Sequence, residues 1–130
     1  MNRRKILAPV LLILASAAIG IASRRWGDLL PDILARYTGD AMWALAFFAL
    51  FRLFLPRASL VRVLLLTLLW SGLIELSQLW HPLWLEPIRQ TRIGGLILGF
   101  GFRWADLLCY AAGALAGWAI FSLCESPAED

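Results

Sequence analysis

Four long apolar blocks dominate this chain, at residues 6–22, 40–55, 60–80 and 104–124. Each is close to the ~20 helical residues that cross a hydrocarbon core about 30 Å thick. A soluble fold of 130 residues would have to bury all four blocks, and so small a domain leaves too little polar surface to cover them. The chain is 61% hydrophobic and 16% charged, against about 45–50% and 25% in soluble globular domains. The expectation is an all-α integral membrane bundle of four transmembrane helices, forming one domain over residues 1–124. The acidic tail 125–130, Glu125-Ser-Pro-Ala-Glu-Asp130, would lie outside it.

The punctuation between blocks supports this reading. A basic flank, Met1-Asn-Arg-Arg-Lys5, precedes the first block. Ala15-Ser16-Ala17 has the small-residue form of a signal-peptidase site, but the run stays apolar through Ile19 and Ile21, which favours a retained helix over a cleaved signal. Residues 23–39 read as a charged connector in which Leu29, Leu30, Ile33 and Leu34 are spaced for a short interfacial helix. Block two, opened by Asp40, stops at Pro56 and would be about 24 Å long as a helix. Ser59 is a natural cap for the third helix, and His81-Pro82 ends it. In residues 81–103, the Gly-rich run from Gly94 to Gly101 is too short to cross. An interfacial or re-entrant segment between helices three and four is expected there, or a simple loop.

The net charge of +3 rests on 11 Arg, which sit at block edges rather than along one polar stripe. Edge positions let Arg snorkel to headgroups, so anionic membrane lipid is the expected partner and nucleic acid is not. Cys109 and Cys124 fall in one helix, about 22 Å apart along its axis, too far to pair. They match no zinc spacing and read as small apolar filler. With a single His, no metal site or cofactor is expected, and no P-loop, GxSxG or Ser-His-Asp order is present.

Alternating helix directions put the start of helix two, the end of helix three and the start of helix four in one leaflet. Asp40, Glu75, Gln78 and Asp106 then share that side with Arg24, Arg25, Arg36, Arg89, Arg92 and Arg103, and with five of the seven Trp. Glu75 carries the most weight. It stands six residues before His81, about 9 Å inside the expected helix end, where a charge costs up to ~2.5–3.5 kcal/mol on insertion scales. Ser71 and Gln78 continue its stripe on one helix face, which should turn toward the bundle. Plainer readings stand beside this one. Asp40 and Asp106 would cap their helices. Glu75 and Gln78 would bind a neighbouring helix or pair with Arg92 or Arg103. His81 would be an interfacial residue. The pair Gly113-x3-Gly117, flanked by Ala112, Ala114 and Ala116, reads as a helix-packing surface.

Glu75-x2-Gln78, then Arg92 or Arg103, then Asp106-x3-Tyr110-x2-Gly113-x3-Gly117 resembles the C-terminal half of VanZ-like membrane proteins. Tyr110 stands where that family carries Asn. Of its N-terminal signature only Asp40 is present, with Ala41 and Ala44 where Lys and His belong. Over about residues 3–120 the chain is more similar to a small bacterial family, domain of unknown function 2809. The residues that carry this are Gly39-Asp40-x2-Trp43-Ala44, Ile74-Glu75-x-Ser77-Gln78, Thr91-Arg92-x-Gly94 and Asp106-Leu-Leu-Cys-Tyr110. That family has no activity to carry over. VanZ-like proteins are associated with low-level resistance to glycopeptides such as teicoplanin, so the resemblance implies resistance at a distance.

Six basic residues fall on each side of the expected bundle, and the basic N-terminus breaks the tie. Both termini are then cytoplasmic, in a multi-pass protein of the bacterial inner membrane, with the polar cluster outside. The expected binding residues are Glu75, Gln78, Asp106, Asp40, Arg92, Arg103 and Tyr110, and the expected ligand an envelope lipid, amphiphile or glycopeptide. Two rivals are a lipid-modifying enzyme using Glu75 or Asp106 as acid or base, and a structural or partner-binding bundle without a ligand. The residues lean away from an enzyme.

Overall fold

The computed structural model describes residues 3–80, 82–98 and 104–125. Among these there are helices and turns but no strand. Four long helices are α1 (Arg3–Arg25), α2 (Asp32–Phe54), α3 (Leu60–Ser77) and α6 (Trp104–Cys124), with two short ones, α4 (Glu86–Arg89) and α5 (Arg92–Leu98), between α3 and α6. Three of them, α1, α3 and α6, are long and apolar enough to cross a membrane. α2 is equally long but carries Asp32, Arg36, Asp40 and Arg52.

α2 is the central helix, packed on α1 along one side and on α3 and α6 along the other. Residue pairings give the directions. Gly20 of α1 approaches Gly39 and Met42 of α2, while Ala8 and Leu12 pack near Phe48, so α1 and α2 run antiparallel. Gly113 meets Ala41 and Gly117 meets Phe48, so α2 and α6 run parallel. A cluster of Phe48, Ala49, Val63 and Phe121 closes the end of the bundle away from the polar site. Phe48 and Phe121 stack there with centroids 5.7 Å apart.

The packing is inverted relative to a water-soluble protein. Leu14, Leu65, Leu69, Leu73, Leu108 and Leu123 point outward, while Thr67, Ser71 and Glu75 are almost fully enclosed. An apolar exterior this continuous belongs against lipid, and the polar stripe of α3 faces the bundle.

Several boundaries differ from the sequence expectation. The apolar residues of 29–34 do not form a separate interfacial helix. A short 3-10 turn at Gly27–Leu29 leads to Pro31 as the residue before α2. Pro31 breaks the chain where its fixed φ suits a helix entry, and Asp32 complements the positive end of the dipole. Asp40 therefore does not open or cap the second helix. It lies eight residues in, about 12 Å along α2. The other end is as expected, with Leu55 closing α2 before Pro56. Ser59 caps α3, its Oγ accepting from Arg62 N at 3.3 Å. α3 ends at Ser77 rather than 80, which leaves Glu75 two residues from the helix end and not deep inside it.

Candidate functional site

The antiparallel pairing of α3 with α6 sets Glu75 against Tyr110, whose hydroxyl donates to Glu75 Oε2 at 3.0 Å. Glu75 is fully buried and Tyr110 nearly so. The tyrosine thus reaches the carboxylate across the helix interface. Trp43 of α2 packs on Tyr110 with centroids 5.1 Å apart and on Phe47 at 4.4 Å. Phe47 in turn meets Trp70 of α3 at 5.5 Å. Aromatic rings from three helices therefore form one run of contacts that ends on Tyr110, the donor to the buried acid.

Asp40 and Asp106 face each other across the α2–α6 contact, close enough for a hydrogen bond between their side chains, and Asp40 also lies within electrostatic reach of Glu75 and Arg24. What brings the two helices so close is glycine. A Cβ on Gly113 would stand 2.0 Å from the carbonyl oxygen of Ala41, and one on Gly117 would stand 2.7 Å from Phe48. The expected packing role of this pair is what the helices show. Asp106 is in the first turn of α6, where a carboxylate complements the dipole. Arg24, from the last turn of α1, reaches Asp40 at 3.9 Å. Its Nε lies 2.9 Å from where a Cβ on Gly39 would be, so the guanidinium rests across α2 because residue 39 has no side chain.

Arg89 is a buried residue that sequence reasoning placed only among the charges of the polar side. It is fully enclosed. Its Nη1 donates to Trp80 O at 2.7 Å and to Glu86 Oε1 at 3.3 Å, and its Nη2 to Ser77 O at 2.6 Å. Helix C-termini leave carbonyls without partners. Arg89 supplies partners just past the end of α3, to the carbonyls of Ser77 and Trp80. The Glu86-x2-Arg89 spacing directly after Leu85 was the available signal.

Gln78 is buried as the C-cap of α3. Arg92 is exposed at the start of α5, and no described contact joins it to Glu75 or Gln78. Of the two expected arginine partners of Glu75, Arg92 is therefore not the one it meets among the described contacts. Arg103 and His81 lie outside the described residues. Thr91 opens α5, its Oγ1 accepting from Gly94 N at 2.9 Å. A Cβ on Gly94 would lie 1.7 Å from Ile88 O, so the Thr91-Arg92-x-Gly94 motif builds the tight α4–α5 corner. Among the described residues no group of three His, Cys, Asp or Glu has a metal-holding arrangement, and both cysteines are free thiols.

At the opposite end, Arg52 does not snorkel to lipid. Its side chain is mostly buried, bonded through Nε to Glu125 Oε1 at 2.8 Å and through Nη1 to Ala58 O at 2.6 Å. It ties the end of α2 to the end of α6.

A helical protein with apolar helices of membrane-crossing length, and with carboxyl groups gathered at one end of its bundle, is the class these features define. The chain belongs to the family described as "Protein of unknown function (DUF2809)", whose model matches residues 29–114. The matched stretch takes in Asp40, Glu75, Gln78, Arg89, Arg92, Asp106, Tyr110 and Gly113. No solved structure matches the chain.

Proposed function

We propose that this protein spans the bacterial inner membrane four times, with α1, α2, α3 and α6 as spans, and binds the headgroup of an envelope amphiphile. The site is the polar end formed by Glu75, Asp40, Asp106, Gln78 and Tyr110. The basic N-terminus orients both termini to the cytoplasm, so the site opens in the outer leaflet. Exposed Trp26, Trp80, Trp84 and Trp104 gather at the same end, a belt suited to headgroup depth. The α4–α5 segment packs at that end as an interfacial cover.

The observation that carries this reading is the convergence of three carboxyl groups from three helices, one of them wholly enclosed. Ionisable groups inside a membrane bundle are costly and mark ligand or ion paths. Of the loop arginines, Arg89 is committed to backbone carbonyls, which leaves Arg92 and Arg103 as the headgroup contacts of this proposal. The VanZ-like resemblance belongs to the same proposal and brings glycopeptides among the candidate ligands.

A thermal-shift screen of the detergent-purified chain against envelope lipids and glycopeptides tests it, since a ligand of the native state raises stability by mass action. Stabilisation of wild type, lost in E75Q and D106N, supports binding. If nothing stabilises wild type and both variants only melt lower, the cluster is helix glue, and the Glu75–Tyr110 bond is its purpose. Turnover of a lipid substrate that E75Q abolishes would instead make the site catalytic.

A further inference from the structure

A cavity of about 530 Å³ opens at the end of the bundle away from the acids, between the start of α1, the end of α2 and the end of α6. Its size falls within the ~300–1,000 Å³ of ligand pockets. Arg4 and Lys5 of the first turn of α1 line it, as does Arg52 of the last turn of α2. Glu125 is the carboxylate among the described lining residues, and both of its oxygens accept from Arg52. That pair closes the back of the cavity with its charge balanced. Lys5 makes no ion pair among the described residues. Cations thus outnumber carboxylates among the described lining residues, and the cavity suits an anion.

The cavity also opens toward lipid. Leu7 and Leu11, one helical turn apart on α1, line it. Each is 55% exposed, and exposed Leu14 continues their stripe along the outside of the helix. α1 and α6 are both long and apolar enough to cross a membrane, so a cavity at their ends lies where acyl chains give way to headgroups. A soluble anion gains nothing from an apolar wall leading out of its site, whereas an acyl chain buries against it.

We infer that this cavity binds the headgroup of an anionic phospholipid, its phosphate at Lys5 beside Arg4 and one acyl chain along Leu7 and Leu11. This is a second site at the other end of the bundle, and it stands whether or not the acids around Glu75 bind a ligand. The headgroup bridges the start of α1 to the Arg52–Glu125 tie between α2 and α6.

The full chain in non-ionic maltoside micelles is titrated with dioleoyl phosphatidylglycerol, with phosphatidylcholine of the same chains, and with glycerol phosphate. Native mass spectrometry reports retained lipid. Cys124 is exposed and lines the cavity, so its alkylation by N-ethylmaleimide, with Cys109 as internal reference, reports whether the cavity is filled. Phosphatidylglycerol should be retained and should slow Cys124 alkylation several-fold. K5Q should weaken it about fivefold, the contribution of one cation near an anionic headgroup. R57Q removes the same charge from the same end without lining the cavity, and should change little. Equal loss in K5Q and R57Q would mean diffuse attraction to charge and overturn the site. So would phosphatidylcholine protecting Cys124 as well as phosphatidylglycerol does. Protection by glycerol phosphate alone would overturn the lipid and leave a soluble anion. Failure of wild type to retain phosphatidylglycerol also overturns the inference, and uptake restored by E129Q/D130N would then name the chain's own acidic tail as the occupant.

Discussion

Tyr110 donates its phenolic hydrogen to Glu75 Oε2 at 3.0 Å, joining α6 to α3 at the polar end of the bundle. The acid is fully buried and the tyrosine nearly so. A carboxylate in this setting depends on its donors, because an unsatisfied buried charge is far costlier than a satisfied one.

Y110F should therefore lower stability by about 1.5–3 kcal/mol, the range for a hydrogen bond to a charged group. Thermal melts of Y110F, E75A and the double variant in one detergent would measure it. The two effects should be non-additive, since the residues touch. Additive effects would mean that the bond contributes nothing to the fold.

Two helix glycines should respond to alanine with opposite signs. G113A places a methyl 2.0 Å from Ala41 O and 3.0 Å from Ala44 Cβ, so α2 and α6 must separate, at about 1–3 kcal/mol for overpacking. G72A meets nothing within 4 Å, and should gain up to ~1 kcal/mol from helix propensity. Paired unfolding curves would check both. G113A would also pull Asp106 away from Asp40, weakening any ligand that bridges them.

R89M should cost about 3–5 kcal/mol, the scale of removing a buried charge whose partners remain. It leaves the carbonyls of Ser77 and Trp80 without the donors they now have from Arg89. R89K should recover little, because an ammonium cannot span both carbonyls as the planar fork does. Hydrogen exchange of residues 76–92, together with melting temperature, would show whether loosening is confined to the α3–α4 corner.

E125A should destabilise by about 1 kcal/mol or less, since Glu125 is partly exposed and pairs of this kind are modest. R52M should cost more, because Arg52 is mostly buried and also holds Ala58 O at 2.6 Å. Melts of both variants at low and high salt separate the contributions. Salt should close the gap between wild type and E125A and leave most of the R52M deficit.

Much of the architecture was legible along the chain, because apolarity and breakers act locally. The apolar blocks declared the helices. Pro56 and Ser59 fixed the α2–α3 turn, and Gly113-x3-Gly117 declared a surface where backbones approach. The polar stripe of Thr67, Ser71 and Glu75 turns inward as the cost of burying charge in lipid requires. Alternating helix directions were enough to bring Asp40, Glu75 and Asp106 to one end.

Tertiary structure decided which partner each polar group takes. Nothing local says that residues 32–39 continue α2 instead of lying in the interface, because the same apolar spacing serves either fate. Packing α1 along the whole of α2 selects the continuous helix and moves Asp40 from its start to its interior. Arg52, Arg89 and Arg92 look alike in sequence, yet two are enclosed by carbonyls and carboxylates and the third is exposed. The sequence by itself determined that there would be apolar helices with acids near one end. Which acid meets which donor was settled by helix register, and that register depends on how closely the Gly113 backbone can sit on Ala41, a contact between residues 72 positions apart that no local pattern records.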